Sequence, residues 1–142
     1  MKVFIVFIGL FIINVSFLSY QGDLGRYVRC QVFLKAVAEE CASGAALYYD
    51  EAAYSDGLFR FYYEEGREYI DYLMEESKRG MPLPPNTIIT YEVVFHDDYL
   101  GYEGEENPSV TVDITAVTGD LFHLPFLEVR EIKRAAKYEL PQ

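Results

Sequence analysis

Between His96 and Glu106 lies the densest set of potential ligands in the chain: His96, Asp97, Asp98, Glu103, Glu105 and Glu106. Several oxygen donors so close together are what Ca²⁺ takes. Their spacing follows no EF-hand loop, however, and a solvated acidic loop between two strands is the plainer reading. His96 and His123 are isolated from one another and from both cysteines, so no zinc set is spelled out. Glu64-Glu65 and Glu75-Glu76 are adjacent carboxylates of the kind found on solvated helix faces, and their spacing defines no acid/base pair. There is no glycine-rich phosphate loop and no nucleophile elbow. The expectation is a protein that is not an enzyme, with no catalytic residue, no cofactor and no metal.

Composition narrows the remaining classes. A chain of 142 residues with a net charge of −11 is a poor partner for nucleic acid, whose phosphates call for Lys and Arg. The same charge opposes docking on anionic lipid through a basic patch. Thirteen tyrosines offer contact area with a polar tip. Tyr48, Tyr49, Tyr62, Tyr63, Tyr69 and Tyr72 gather around the helical segments, where half-buried core positions account for most of them. An exposed subset would form a recognition surface.

The elements that must position these residues begin with the apolar run Val3, Phe4, Ile5, Val6, Phe7, Ile8, Leu10, Phe11, Ile12, Ile13, Val15, Phe17 and Leu18, interrupted only by Gly9, Asn14 and Ser16. A helix from Val3 to Tyr20 spans roughly 27 Å, close to a bilayer's hydrocarbon core. Tyr20 falls where an interfacial aromatic belongs. A cleaved secretory signal is the competing reading, but each candidate cleavage site places a large or polar residue three positions before the cut. Residues 1–22 are therefore read as a membrane anchor, and 23–142 as an exported domain of about 120 residues, enough for one modest core. Counting Arg26 and Arg29 against Lys2 favours the reverse orientation. The short N-terminal tail and the exported character of the domain favour a single-pass protein with its C-terminal domain outside the cytoplasm.

Asp23 reads either as an N-cap or as a polar interruption of one continuous helix reaching about Tyr49. Ala36, Ala38, Ala42, Ala45 and Ala46 make this helix thin, so that a neighbouring backbone can approach closely. Leu24, Val28, Gln31, Leu34, Ala38, Cys41, Ala42 and Ala45 form its candidate assembly face, although packing on the protein's own sheet would use the same small residues. Cys30 and Cys41 fall on nearly one face about 16 Å apart, too far to pair with each other. They read as buried packing residues, with an intermolecular bridge as the other possibility.

Asp50 to Gly57 reads as a helix end and turn, and the alternation of 58–62 predicts a short strand. A helix follows over Glu64 to Lys78, with Tyr69, Ile70, Leu73 and Met74 as its buried stripe. Thr87–Phe95 and Ser109–Val117 predict an antiparallel hairpin with a long connection. Thr118-Gly119-Asp120 reads as a turn, and Pro125 makes the apolar segment Leu121–Leu127 irregular. In the tail, Val129, Ile132, Ala136 and Leu140 fit a helix, but a last strand with a bulge is the preferred reading. The fold class is α+β: a long N-terminal helix and a second helix on a three- or four-stranded antiparallel sheet.

Gly25-Arg26-Tyr27-Val28-Arg29-Cys30-Gln31, then Leu34-Lys35-Ala36-Val37-Ala38 and Gly44-Ala45-Ala46-Leu47, follow the apolar run. Val110-Thr111-Val112-Asp113-Ile114-Thr115-Ala116 and the Pro-containing Leu121–Leu127 precede the last predicted strand. In this order the chain resembles TadE/TadG-like pilus-assembly proteins. The resemblance implies a pilin-like fold. It also implies a pseudopilin-like role in a Tad (type IVc) pilus or related secretion apparatus, with pilin-like or pilus-assembly subunits and the bilayer as partners. Type IV prepilins carry a processing site ending in Gly and a Glu early in the mature helix. Here no acidic residue follows Gly9 before Asp23, so an unprocessed accessory component is expected. The reading from a different class is a secreted, signal-cleaved binding module with a Tyr-rich recognition surface.

Overall fold

The computed structural model describes residues 1–119 and 121–141. One unbroken helix, α1 (Lys2–Ala45), carries everything else. Its 44 residues correspond to a rod about 66 Å long. Gly22 and Gly25 do not interrupt it, and Asp23 lies inside it rather than capping a second helix. The boundary at residues 22 and 23 is thus one of environment: no residue from 1 to 22 is buried, and Asp23 is the first that is.

The helix stops four residues before Tyr49. Its last carbonyls are taken by Ala46, Leu47 and Tyr48 amides, and the next stretch pairs elsewhere, with Asp50 N donating to Arg60 O and Tyr62 N to Tyr48 O, each at 2.8 Å. A short helix, α2 (Glu51–Ser55), occupies part of the expected turn. Asp50 caps it by accepting from Ala52 N and Ala53 N, and Gly57, at φ +82°, closes it in the left-handed region.

The strand predicted at 58–62 does not form. Only Phe61 bridges Tyr49, because the amides of Phe59 and Phe61 are taken by the carboxylates of Asp98 and Asp97 instead of a neighbouring strand. Helix α3 (Tyr63–Lys78) then runs back along α1. It buries Ile70 and Met74 and half-buries Tyr69 and Leu73. Glu64 and Glu65 lie at its positive end and Lys78 at its negative end, as the helix dipole favours.

Strands β1 (Ile88–His96), β2 (Ser109–Val117) and β3 (Glu131–Glu139) form one antiparallel sheet in the order β1-β2-β3. Register is continuous, with Val93 opposite Val112 and Val112 opposite Ala136, so β3 carries no bulge. The helical alternative for the tail fails because Ile132 and Ala136 turn to the core as strand residues while Lys133, Ala135 and Lys137 face out. Val93, Phe95, Val110, Val112, Ile114 and Ala116 meet Cys30, Leu34, Val37, Ala38 and Cys41 of α1 in a single core. Residues 121–127 are irregular, as Pro125 requires. The turn at 118–120 lies partly outside the described residues.

Candidate functional site

The candidate sites in this architecture are α1 and the two ends of the domain it carries. Its first half is long and apolar enough to cross a membrane, by length and composition, and none of that window is buried. Val3 through Ile8, Leu10 through Ile13, Val15, Phe17 and Leu18 all stand exposed. Within the domain, α1 has two sides. Leu34, Ala38, Cys41, Ala42 and Ala45 of the candidate assembly face are buried against the protein's own sheet and α3. Gln31 is half-buried and donates to Tyr27 Oη at 2.8 Å. Leu24 and Val28 are exposed, and Val32 and Ala36 continue them in four-residue steps, with Val32 64% exposed. The small residues therefore serve internal packing, while an apolar outer stripe is left facing away. Val32 is the residue that the pattern of core positions does not single out, and its signal was the four-residue step from Val28.

Glycines set how closely α3 approaches. A Cβ on Gly44 would run into the Tyr69 ring, and one on Gly66 would lie 3.3 Å from the Phe95 ring.

At the end of the domain far from the apolar half of α1, the acidic stretch does a different job from the one its composition suggests. Asp97 is fully buried. Its Oδ2 accepts from Phe61 N at 3.0 Å and Tyr63 Oη at 2.5 Å, and its Oδ1 accepts from Tyr99 N at 3.0 Å and Leu100 N at 2.8 Å. Asp98 accepts from Phe59 N and Tyr102 Oη. Burial, then donation to Asp97, pushes the Tyr63 phenol up, and burial with donation to Asp98 pushes Tyr102 up to about 12. Glu105 pairs with Lys137, whose ammonium also reaches Glu139 at 2.6 Å. With their oxygens so engaged, these carboxylates tie loop to core. Among the described residues no group of three His, Cys, Asp or Glu is placed to hold a metal.

Beside this knot is a groove of about 630 Å³, lined by Tyr49, Tyr54, Leu58, Phe59, Asp98 and Pro108 among others. Tyr49 stacks on Phe59 with centroids 5.5 Å apart, and Tyr54 meets Phe59 edge-on at 6.2 Å. Of the tyrosines placed near the helices by sequence, Tyr49, Tyr63 and Tyr69 are half-buried, and Tyr48, Tyr62 and Tyr72 are exposed.

At the opposite end, Asp23 receives a segment 100 residues away. Its Oδ2 accepts from His123 N at 2.9 Å, and its Oδ1 lies 2.8 Å from His123 Nδ1. The backbone N–H of His123, ahead of the imidazole contact, holds the Asp23 carboxyl below its usual range. Phe122 sits between Tyr20 and Tyr27, with centroids at 6.0 and 6.1 Å.

Both cysteines are free and fully buried. Cys30 Sγ donates to Pro82 O at 3.0 Å, and burial pushes the Cys41 thiol up to about 12. Neither is placed or ionised to bridge another molecule. The chain matches no protein-family model, no curated protein and no solved structure.

Proposed function

We propose that this chain is a non-catalytic, membrane-anchored, pseudopilin-like component of a Tad-type pilus or related secretion apparatus, acting through helix packing and assembly. The observation that carries the reading is the division of labour along α1. An unburied apolar half continues without a break into a half that forms the core of an α+β domain. Such a rod fixes the domain's distance and orientation relative to the bilayer, because no flexible joint intervenes. It also leaves Leu24, Val28 and Val32 as an outer apolar stripe in line with the membrane segment. The partners are pilin-like or pilus-assembly subunits, and the domain lies outside the cytoplasm.

Deleting residues 3–18 is the test. The truncated chain is expected in the soluble fraction and missing from the complex recovered with the full-length protein. Normal assembly by the truncated chain would remove the reading. The aromatic groove at the far end supports a second reading, a secreted binding module released by cleavage near Gln21. Intact mass separates the two: full length in washed membranes favours the anchor, and a shortened chain in the medium favours the secreted module.

A further inference from the structure

We infer that the tip of the β2–β3 connection, Leu124 to Leu127, is a second membrane contact that enters the lipid interface beside α1; this rests on the reading of residues 3–18 as a membrane span. The segment folds back on the foot of the domain. Leu121 N donates to Val129 O and Thr118 N to Arg130 O, so the chain descends and returns as a closed loop. Leu127 N donates to Leu124 O, making 124–127 the turn at its extremity.

Three observations place that extremity at the bilayer surface. Phe122 packs on Tyr20, the residue that ends the apolar span, as well as on Tyr27 one helical stretch further out. His123 is locked to Asp23, only three residues beyond Tyr20, or about 5 Å along the axis. Phe126, beyond both in the chain, is 77% exposed, the most exposed large apolar side chain among the described residues after residue 22.

Chemistry favours lipid over a protein partner. Residues 121–127 contain no carboxylate, in a chain whose net charge is −11. Glu128, which follows them, faces Arg130 at 3.8 Å. An uncharged tip with one Phe and flanking Leu residues suits the boundary between headgroups and acyl chains, into which interfacial segments bury Phe and Leu side chains. The contact is apolar, so it does not need anionic lipid. Together with α1 it gives the domain two points on the membrane, which fixes its tilt and its rotation about the helix axis.

The chain has no Trp, so one introduced indole reports alone. Full-length Phe126→Trp, Phe11→Trp and Tyr54→Trp proteins would be reconstituted separately in phosphatidylcholine vesicles carrying bromine at shallow or deep acyl positions. The expected result is blue-shifted emission from Phe126→Trp, quenched several-fold more than Tyr54→Trp and most strongly by shallow bromine. Phe11→Trp is expected to respond most to deep bromine. Quenching of Phe126→Trp no greater than that of Tyr54→Trp, with Phe11→Trp quenched, overturns the inference and leaves the anchor standing. Blue-shifted emission from Phe126→Trp without bromine quenching also overturns it, since a protein neighbour then covers the ring. An unquenched Phe11→Trp removes the anchor and the inference together.

Discussion

Asp97 shows how one buried carboxylate can organise a surface loop. It satisfies four donors from two segments more than thirty residues apart, and of these the buried Phe61 amide would otherwise be left unpaired in the interior. Asp97→Ala should lower the unfolding free energy by on the order of 3 kcal/mol, read as a lower urea midpoint, because lost charged hydrogen bonds are compounded by unsatisfied donors. The sequence marks Asp97 as part of an acidic cluster. It does not reveal the contacts, since Phe61 and Tyr63 lie 36 and 34 residues away and carry no local pattern pointing to it. Asp23 is hidden for the same reason, with His123 100 residues distant. Its folded-state pKa lies below the usual 3.8, so the unfolded chain takes up its proton more readily. The stabilisation is fully present above that usual value and is lost as pH falls through the depressed one. Asp23→Asn should therefore be less stable at neutral pH and lose less on acidification below pH 3.8, measured by unfolding across that range. The thiols give a simpler check. Cys30 and Cys41 should resist alkylation at neutral pH in the folded protein and react readily in urea.

At the scale of elements, the close approach of α3 to α1 depends on Gly44, while Gly66 makes room for the Phe95 ring of β1. Gly44→Ala places a methyl where the Tyr69 ring lies, and the overlap should cost about 1–3 kcal/mol despite the better helix propensity of Ala. Combining it with Tyr69→Leu should cost less than the two separate losses added together, a coupling read from a double-mutant cycle. Elements with one dominant period were readable before folding. Ser109–Ala116 alternates polar with apolar and lies in β2, and the spacing of Ile70, Leu73 and Met74 gives α3. The tail was divided because Val129, Ile132, Ala136 and Leu140 satisfy a helical spacing while Ile132 and Ala136 also share one face of a strand. The free edge of β2 decides for the strand by offering a full ladder. The segment 58–62 erred in the opposite sense. Its alternation is real, but Asp97 and Asp98 occupy the amides that a ladder would need. Side-chain competition for backbone donors leaves no periodic trace.

The whole molecule is a rod with a domain packed against one side of its outer half, and the two sides of that half make separable demands on α1. The inner side is already consumed by folding: Leu34, Ala38, Cys41 and Ala45 are fully buried. In the proposed assembly the apolar positions that this half of α1 leaves open to a lateral contact are Leu24, Val28, Val32 and Ala36, and substitution there leaves the core untouched. Val32→Arg introduces charge at a position 64% exposed, so stability should change by no more than about 0.5 kcal/mol. In an assembly packed through this stripe, the same change places an unpaired charge between helices, a penalty on the order of several kcal/mol. The expected outcome is an unchanged urea midpoint, normal membrane recovery, and loss of cross-linking to the neighbouring subunit. Leu34→Arg is the contrast, since it should unfold the domain before assembly is reached. If Val32→Arg cross-links as well as the natural protein, helix packing is confined to residues 3–18, and the outer half of α1 acts only as the spacer that holds the domain above the bilayer.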